Sequence, residues 1–183
     1  MKVRVEELPI GGCLLLHPHV AADDRGRFVK VFHASTFRDL GLEADFVESF
    51  VSTSIAGVIR GLHYQAPPHD HAKLVYCTAG SVLDVALDLR AGSPTFGEYC
   101  SATLDAESGT MIYLPRGIAH GFRVTSESAT LTYMTTSEHA PEHDRGIRWD
   151  TPGIDWGIEA APILSPRDAE HPGWDEYAAS PLF

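Results

Sequence analysis

The feature that most constrains the fold is a succession of short, β-rich segments separated by turn residues. Between Val82 and Asp88 the residue types alternate, which places successive side chains on two distinct faces, as in a strand. The candidate strands are Cys13–His17, Phe28–Phe32, Phe46–Ser52, Val58–Tyr64, Lys73–Thr78, Ser81–Leu89, Phe96–Leu104, Met111–Leu114, His120–Thr125 and Thr130–Thr135. Ten strands in about 125 residues, with few helical segments, predict an all-β jelly-roll barrel or sandwich with a few short helices.

Two local signals refine this prediction. Ser35–Leu40 has helical character, with Ser35 able to cap its start and Gly41 placed to end it. The segment Thr78-Ala79-Gly80-Ser81 lies between two apolar runs and predicts a tight hairpin turn. Both signals come from turn and cap residues and therefore predict local structure only.

After Thr136 the sequence becomes polar and rich in proline, with too few periodic apolar positions for a separate core. We therefore expect one domain over residues 1–183, with an N-terminal arm of about residues 1–27. The C-terminal segment of about residues 137–183 is expected to wrap over the barrel, with its tryptophans and isoleucines packed down.

Charge limits the classes of partner. The 183 residues include 14 Lys+Arg and 25 Asp+Glu, a formal net charge of −11, which argues against binding nucleic acid or an anionic membrane.

The three cysteines match neither a disulfide framework nor a zinc site, and no apolar run is long enough to span a membrane. We expect a cytoplasmic protein with reduced thiols, in which any anionic ligand binds a small basic pocket.

The densest polar cluster is the segment Arg60 to Gln65, followed by His69, His71 and Lys73. Regular alternation would point the side chains of Arg60 and His63 to opposite faces of a strand. Gly61 lies between them and permits a bulge that would direct both side chains into one site. Cations and a histidine on adjoining barrel strands favour a ligand site, because barrel mouths commonly hold ligands.

A second cluster, Gly109 to His120, resembles the second motif of the cupin superfamily: a glycine, five residues, Pro-x-Gly, two residues and a histidine. It predicts a strand, a turn and a return strand that starts at an inward-facing His120. A metal-dependent cupin isomerase or oxygenase using His69, His71 and His120 is one alternative. The carboxylate ligand of the first cupin motif is missing, however, and nearby cations oppose a divalent metal, so we favour a site without metal or cofactor.

A metal-free site of this composition suits proton transfer next to a carbonyl group. Histidine carries protons near neutral pH, and an acid on the opposite face of the substrate would return a proton there. Cations beside the carbonyl oxygen would stabilise the enolate formed in between. Tyr133, on the last predicted strand, is a candidate for the second proton donor, although its position alone favours a core or rim tyrosine.

Eight segments, spread from about Leu14 to Asp168, carry a wider resemblance. They are Asp24–Phe28, Gly57–Gln65, Lys73–Val75, Asp84–Arg90, Ser93–Gly97, Pro115–Phe122, Gly146–Asp150 and Leu164–Asp168. In these segments and in their order the chain resembles the dTDP-4-dehydrorhamnose 3,5-epimerase family. The resemblance implies a metal-free jelly-roll homodimer with shared active sites, acting on nucleotide-linked 4-keto-6-deoxy sugars.

The resemblance also implies roles for individual residues. His63 corresponds to the base that removes the proton next to the C4 ketone, and Asp168 to the carboxylate that orients it. Tyr133 corresponds to the acid on the opposite face. Lys73 would stabilise the enolate oxygen, and His120 would line the same pocket.

Substrate recognition is implied in the same way. Arg60 would hold the diphosphate, while Arg25 and Phe28 would reach the nucleotide bound by the neighbouring subunit. The chain departs from the family pattern at three further positions expected to contact the substrate: Glu48 and Phe50 replace amides, and His139 replaces an aromatic residue near the base.

The proton-transfer residues thus match the family better than the recognition residues do. The leading hypothesis is an epimerase that inverts C3, C5 or both centres of a nucleotide-linked 4-keto-6-deoxyhexose. A C3-only or C5-only monoepimerase and a non-enzymatic sugar-nucleotide-binding module stay open as alternatives.

Overall fold

The computed structural model describes residues 1–183, which form thirteen strands and three short helices. The strands are β1 (Val3–Glu7), β2 (Leu14–Pro18), β3 (Val20–Asp23), β4 (Gly26–Val29), β5 (Glu48–Ile55), β6 (Ile59–Gln65), β7 (Lys73–Ala79), β8 (Ser81–Asp88), β9 (Tyr99–Asp105), β10 (Met111–Leu114), β11 (Ile118–Val124), β12 (Ser128–Thr135) and β13 (Asp144–Gly146). The helices are α1 (Ala34–Asp39), α2 (Pro166–Glu170) and α3 (Trp174–Ala179). With five or six residues each, none of the helices is long enough to cross a lipid bilayer.

Two antiparallel sheets make up the body of the protein. One has six strands in the order β1-β2-β10-β7-β12-β5, and the other has five strands in the order β13-β6-β11-β8-β9. Strands β3 and β4 form a separate two-stranded hairpin. This arrangement of two packed antiparallel sheets confirms the predicted all-β jelly roll.

The main core lies between the two sheets. Its 17 buried residues include Val75 and Leu131 from the six-stranded sheet and Ala86, Leu104 and Phe122 from the five-stranded sheet. Because inward-facing residues alternate with outward-facing ones along each strand, both sheets contribute to this layer. The same space, at one end, holds the polar side chains described in the next section.

The outer face of each sheet is also covered. The C-terminal segment packs Ile147, Trp156 and Tyr177 against Leu62 and Leu87 of the five-stranded sheet. On the six-stranded sheet, Phe37 of α1 is buried with residues of β2, β7 and β10. Cover on both faces explains why a strand such as β10 is buried along its whole length rather than at alternate positions.

The predicted helix forms, but its start differs from the prediction. Helix α1 begins at Ala34, so its N-cap is His33, which makes no capping hydrogen bond, and Ser35 lies inside the helix. Gly41, with φ of +74°, follows the end of the helix as predicted. Ser35 instead bonds the ring of His33, a local contact that a capping pattern does not distinguish from a true N-cap.

The hairpin predicted at Thr78–Ser81 is wrong. Strand β7 pairs with β10 and β12, whereas β8 pairs with β9 and β11, so the turn at Gly80 carries the chain from one sheet to the other. Gly80 has φ of +71°, and a Cβ there would lie 1.9 Å from the carbonyl oxygen of Ser128. The turn chemistry was therefore predicted correctly, but local chemistry does not specify which strands pair.

Nine of the ten predicted strands differ from the observed bounds by one to three residues, and three strands were missed. The segment Phe28–Phe32 is extended only to Val29, because Phe32 turns to pack on Phe37 of α1. The segment Phe96–Leu104 begins its strand at Tyr99, since residues 94–97 form a turn. Strands β1, β3 and β13 have only three to five residues, so none of them offers the longer alternating pattern on which the prediction relied.

Candidate active site

A cavity of about 290 Å³ opens between the two sheets. Eight of the eleven predicted site residues line it: Glu48, Phe50, Arg60, His63, Lys73, His120, Tyr133 and His139. Asp168 lies behind His63, and only Arg25 and Phe28 are elsewhere. Strands of both sheets therefore bring together side chains that are far apart in the sequence.

A β-bulge at Gly61 directs two of these side chains into the cavity. His63 pairs with His120 and Arg60 pairs with Phe122, so two residues of β6 lie opposite Gly121 alone. Gly61 has φ of +119°, and a Cβ there would lie 2.6 Å from the Cα of Gly121. The predicted bulge is confirmed, and it places Arg60 and His63 on the same side of the strand.

The C-terminal segment brings a carboxylate to His63. Asp168 Oδ1 lies 2.5 Å from Nε2 of His63, which is 105 residues earlier in the chain. Ser165 caps helix α2 by accepting a 3.0 Å hydrogen bond from the backbone N–H of Asp168, and Pro166 starts the helix. Because Asp168 occupies Nε2, Nδ1 is the ring nitrogen of His63 that is free to take up a proton.

The environment of this pair favours a neutral histidine beside an ionised aspartate. Burial lowers the pKa of His63 below 6.5, and this effect outweighs the opposing influence of Asp168. Burial alone would raise the pKa of Asp168, but His171 and His63 outweigh it and hold the carboxyl pKa well below its usual range. A neutral imidazole held by an ionised carboxylate has the protonation state required of a general base.

Lys73 lies at the start of β7 and is buried, with 8% of its surface exposed. Its Nζ donates a 3.1 Å hydrogen bond to the backbone carbonyl oxygen of His63. Burial lowers the pKa of this amine to about 8, so it still carries a positive charge at neutral pH. A desolvated ammonium group is well suited to stabilise a negatively charged oxygen in the cavity.

Tyr133 lies on β12, across the cavity from β6, and is buried. Its hydroxyl is 3.1 Å from Oγ of Ser52, and its ring stacks on Phe50 with centroids 4.6 Å apart. Burial raises the pKa of the phenol, which keeps it protonated at neutral pH. The base and the candidate acid therefore lie on opposite sheets, with the cavity between them.

His120 belongs to a second histidine–aspartate pair. It faces inward, as predicted, and its Nε2 lies 2.8 Å from Oδ2 of Asp84 on the adjacent strand β8. Asp84 is completely buried, and burial raises its pKa. Asp84 begins the motif Asp84–Arg90, but its partner could not be predicted, because the sequence does not show that β8 and β11 are neighbours.

The remaining predicted recognition residues surround the opening. Arg60 donates from Nε to Oγ of Ser54 at 2.9 Å, and its two Nη groups have no partner in the chain. Glu48 accepts a 2.6 Å hydrogen bond from the backbone N–H of His139. One free guanidinium face and one carboxylate are thus available to a ligand at this opening.

Arg25 and Phe28 lie outside this cavity. They belong to the β3–β4 hairpin, where 66% of Phe28 is exposed and the Arg25 side chain, 90% exposed, pairs with Asp23 at 2.5 Å. Within one chain the structure does not bring them to the other site residues. Their predicted contact with the nucleotide of a neighbouring subunit stays a prediction.

An ion pair at the cavity was not predicted from the sequence. Arg167 and Asp144 both line it, with Nη2 and Oδ1 2.7 Å apart. Arg167 precedes Asp168 in α2, and Asp144 begins β13, so both come from the C-terminal segment. The Leu164–Asp168 motif was the available signal, but only Asp168 of that motif had been assigned a role.

The three histidines required by the metal-dependent alternative do not converge. His120 bonds Asp84, whereas the ring of His69 packs at a tilt of 43° against that of His143, with centroids 4.5 Å apart. The residues whose ligand atoms do lie within 4.8 Å of one another are His63, Asp168 and His171. His69, His71 and His120 therefore do not form the metal site that this alternative would require.

Comparison with known proteins identifies the family. The sequence pattern of dTDP-4-dehydrorhamnose 3,5-epimerases matches residues 7–176. The chain belongs to this family. A dTDP-4-dehydrorhamnose 3,5-epimerase of Pseudomonas aeruginosa is 43% identical over 171 residues, which cover 92% of this chain and 94% of the relative. The predicted family and the enzyme class, an isomerase, are confirmed.

Solved structures of family members have the same fold. The dTDP-6-deoxy-D-glucose-3,5-epimerase of Legionella pneumophila, in complex with dTDP-4-keto-L-rhamnose, superposes with a TM-score of 0.94 at 35% identity, covering 100% of this chain and 99% of that chain. A 3′-monoepimerase of Streptomyces bikiniensis, in complex with dTDP-quinovose, gives a TM-score of 0.89 at 34% identity, covering 94% and 88%. Enzymes with this fold thus include one described as a 3,5-epimerase and one described as a 3′-monoepimerase.

Proposed function

We propose that the protein is an epimerase that inverts C3 and C5 of a dTDP-linked 4-keto-6-deoxyhexose through an enolate, in deoxysugar biosynthesis. One observation carries the proposal: His63, held by Asp168, and Tyr133 come from opposite sheets and face the same cavity. Inversion of a carbon requires a proton to leave one face and another to arrive at the opposite face. A base and an acid on opposing walls meet this requirement.

The mechanism follows from the groups in the cavity. Nδ1 of His63 removes the proton from the carbon next to the C4 ketone, and the electron pair moves onto the ketone oxygen. The charged Lys73 and the His120 side chain stabilise this enolate oxygen. The phenol of Tyr133 then protonates the carbon on the other face, and exchange with solvent resets both groups. The same sequence at the second carbon completes a double inversion.

Recognition of the nucleotide diphosphate rests on the groups at the opening. The free face of Arg60 suits a phosphate, because guanidinium binds phosphate oxygens in a bidentate manner. Glu48, Phe50 and His139 would contact the sugar and the base from the same opening. The exposed β3–β4 hairpin, with Arg25 and Phe28, would complete the site of a second subunit in a homodimer. The proposal includes a cytoplasmic location and no metal or cofactor.

A C3-specific monoepimerase is the second candidate. It is supported by the similarity to the 3′-monoepimerase of Streptomyces bikiniensis, which is nearly as close in fold as the 3,5-epimerase. A monoepimerase would carry out the same enolate chemistry at one carbon only. The two candidates therefore differ in which positions exchange with solvent, and not in the class of reaction.

Solvent exchange tests the proposal and separates the two candidates. The protein is incubated in deuterated water with dTDP-4-keto-6-deoxy-D-glucose, and NMR follows deuterium at C3 and C5. Deuterium with inversion at both carbons supports the 3,5-epimerase, and deuterium at C3 alone supports the monoepimerase. Absence of deuterium at both carbons, also with CDP- and GDP-linked substrates, would refute the proposal. His63→Ala serves as the inactive control.

A further inference from the structure

Ser52 lies on β5 and lines the cavity beside Tyr133, but the mechanism above gives it no role. Its Oγ lies 3.1 Å from the phenolic oxygen of Tyr133, and either oxygen can be the donor. Within the chain, each of these two oxygens has the other as its hydrogen-bond partner. The role of Ser52 therefore depends on what happens to the phenol during the reaction.

The ring of Tyr133 is held in place, which keeps its hydroxyl beside Ser52. In the pairing of β5 with β12, Tyr133 lies directly opposite Phe50, and Ser52 is two residues further along the same face of β5. The Phe50 ring stacks on the Tyr133 ring with the two planes 12° from parallel. The His120 ring packs edge-on against the Tyr133 ring, with centroids 6.1 Å apart. Strand register, and not a loop, thus fixes the contact between the two hydroxyls.

Loss of the phenolic proton changes what Tyr133 requires from its partner. When the phenol protonates the substrate carbon it becomes a phenolate, which has no hydrogen and can only accept hydrogen bonds. The hydroxyl of Ser52 can rotate to donate to this oxygen, whichever of the two was the donor before the transfer. A hydrogen bond to a charged acceptor is stronger than one between neutral hydroxyls. The contact therefore strengthens as charge develops, which is the condition for lowering the barrier.

The other surroundings of Tyr133 make a phenolate hard to form. Burial raises the pKa of the phenol, the Ser52 hydroxyl opposes this rise, and the charge of Asp84 adds to it. The charge of Arg60 also favours the phenolate, but its Nε is bonded to Ser54 and not to Tyr133. Ser52 is therefore the group of the chain that can donate a hydrogen bond to the phenolate directly.

We propose that Ser52 is a positioning residue for proton return: its hydroxyl donates a hydrogen bond to the Tyr133 phenolate as the phenol gives up its proton. The inference rests on the proposed function and adds to it a residue that acts through Tyr133. Removal of the Ser52 hydroxyl should slow inversion and spare deprotonation, because deprotonation belongs to His63 on the opposite sheet.

Three single substitutions test this role in deuterated water. Ser52→Ala should slow inversion by about 10- to 100-fold, with deuterium exchange within about threefold of the wild-type rate. Ser52→Thr restores a hydroxyl, and its inversion rate should return to within about threefold of the wild-type value. Thr53→Ala removes a hydroxyl from the exposed outer face of the same strand and is the matched control. Equal slowing of exchange and inversion by Ser52→Ala would indicate a structural role and overturn the inference.

A double substitution tests whether Ser52 acts through Tyr133. In a Tyr133→Phe background no phenolate forms, so Ser52→Ala should change the remaining inversion rate by less than about twofold. A further loss as large as in the wild-type background would show that Ser52 acts on another group, which contradicts the proposal.

A titration without substrate separates failure of this inference from failure of the proposed function. Tyr133 is replaced by 3,5-difluorotyrosine, whose phenol ionises at lower pH, and fluorine NMR follows its ionisation. Ser52→Ala should raise this phenol pKa by about 1 or more, and Ser52→Thr should not. Ser52→Cys, a weaker donor, takes the place of Ser52→Ala if that variant lacks a cooperative thermal unfolding transition. An unchanged pKa overturns the inference, whether or not the wild-type protein epimerises the sugar.

Discussion

Asp168 Oδ1 lies 2.5 Å from Nε2 of the His63 ring, which leaves Nδ1 free for the proposed role as the base. Asp168→Asn preserves the size of the side chain and can still accept a hydrogen bond, but it removes the negative charge that stabilises the imidazolium. We expect kcat to fall by about 10² to 10⁴, as in other histidine–aspartate systems, with KM changed far less. Steady-state kinetics on the dTDP-linked keto sugar measures this loss.

The control for this variant is Asp175→Asn, an equivalent change at an exposed position of α3. It should retain wild-type kinetics. If Asp168→Asn also retained the wild-type kcat, the short contact with His63 would have a structural role only.

Tyr133→Phe should separate deprotonation from inversion. The variant keeps His63 and the stacked arrangement with Phe50, but it removes the hydroxyl that lies 3.1 Å from Ser52. Deuterium exchange at the substrate carbon should continue within about tenfold of the wild-type rate, while inversion slows by about 10² or more. NMR of one sample reports both rates. Equal slowing of exchange and inversion would contradict a role for Tyr133 on the face opposite His63.

The pH dependence of kcat/KM should show two limbs. Burial lowers the pKa of His63, so the base becomes protonated, and activity is lost, only as the pH falls below 6.5. Burial lowers the pKa of Lys73 to about 8, so its charge, and the stabilisation of the enolate, are lost as the pH rises through about 8. Lys73→Arg, which stays charged at higher pH, should have lower activity but no alkaline limb near pH 8.

A wild-type profile that stays flat from pH 7 to pH 10 would refute the assignment of the alkaline limb to Lys73. Tyr133 does not produce this limb, because burial raises its pKa above the ordinary value of 10.

Gly61→Ala should disrupt the site because it displaces the backbone of β6. The added Cβ would lie 2.6 Å from the Cα of Gly121 and 2.7 Å from the carbonyl oxygen of His120, at a φ of +119° that alanine rarely adopts. Relief of this clash must shift β6 against β11 and misplace both Arg60 and His63. We expect a loss of about 2 kcal/mol or more in unfolding free energy and of most activity. Gly92→Ala, where a Cβ meets nothing within 4 Å, should be tolerated.

Local features of the fold could be predicted from sequence, and pairings between distant strands could not. Gly61 between Arg60 and His63 indicated the bulge correctly because a glycine inside a strand has few other uses. The turn at Gly80 was predicted as a hairpin, because the same turn residues serve a hairpin and a passage between sheets.

The same limit applies to the site. The assignment of Asp168 came from the family resemblance, since the 105 residues between His63 and Asp168 carry no local signal of their contact. Tyr133 was a candidate from its predicted strand, and the resemblance gave it its role. The ion pair of Arg167 and Asp144 and the pairing of Asp84 with His120 depend on neighbouring elements that only the three-dimensional structure identifies.

Because the C-terminal segment supplies Asp168, enzyme activity should depend on whether this segment stays ordered. Helix α2 has five residues, too few to be stable in water alone, so it stays in place through contacts with other elements, such as those of Arg167 with Asp144 and of Asp168 with His63. Partial opening of this segment would separate the dyad while the two sheets stay folded. In a denaturant titration, enzyme activity should therefore disappear before the circular dichroism of the sheets changes.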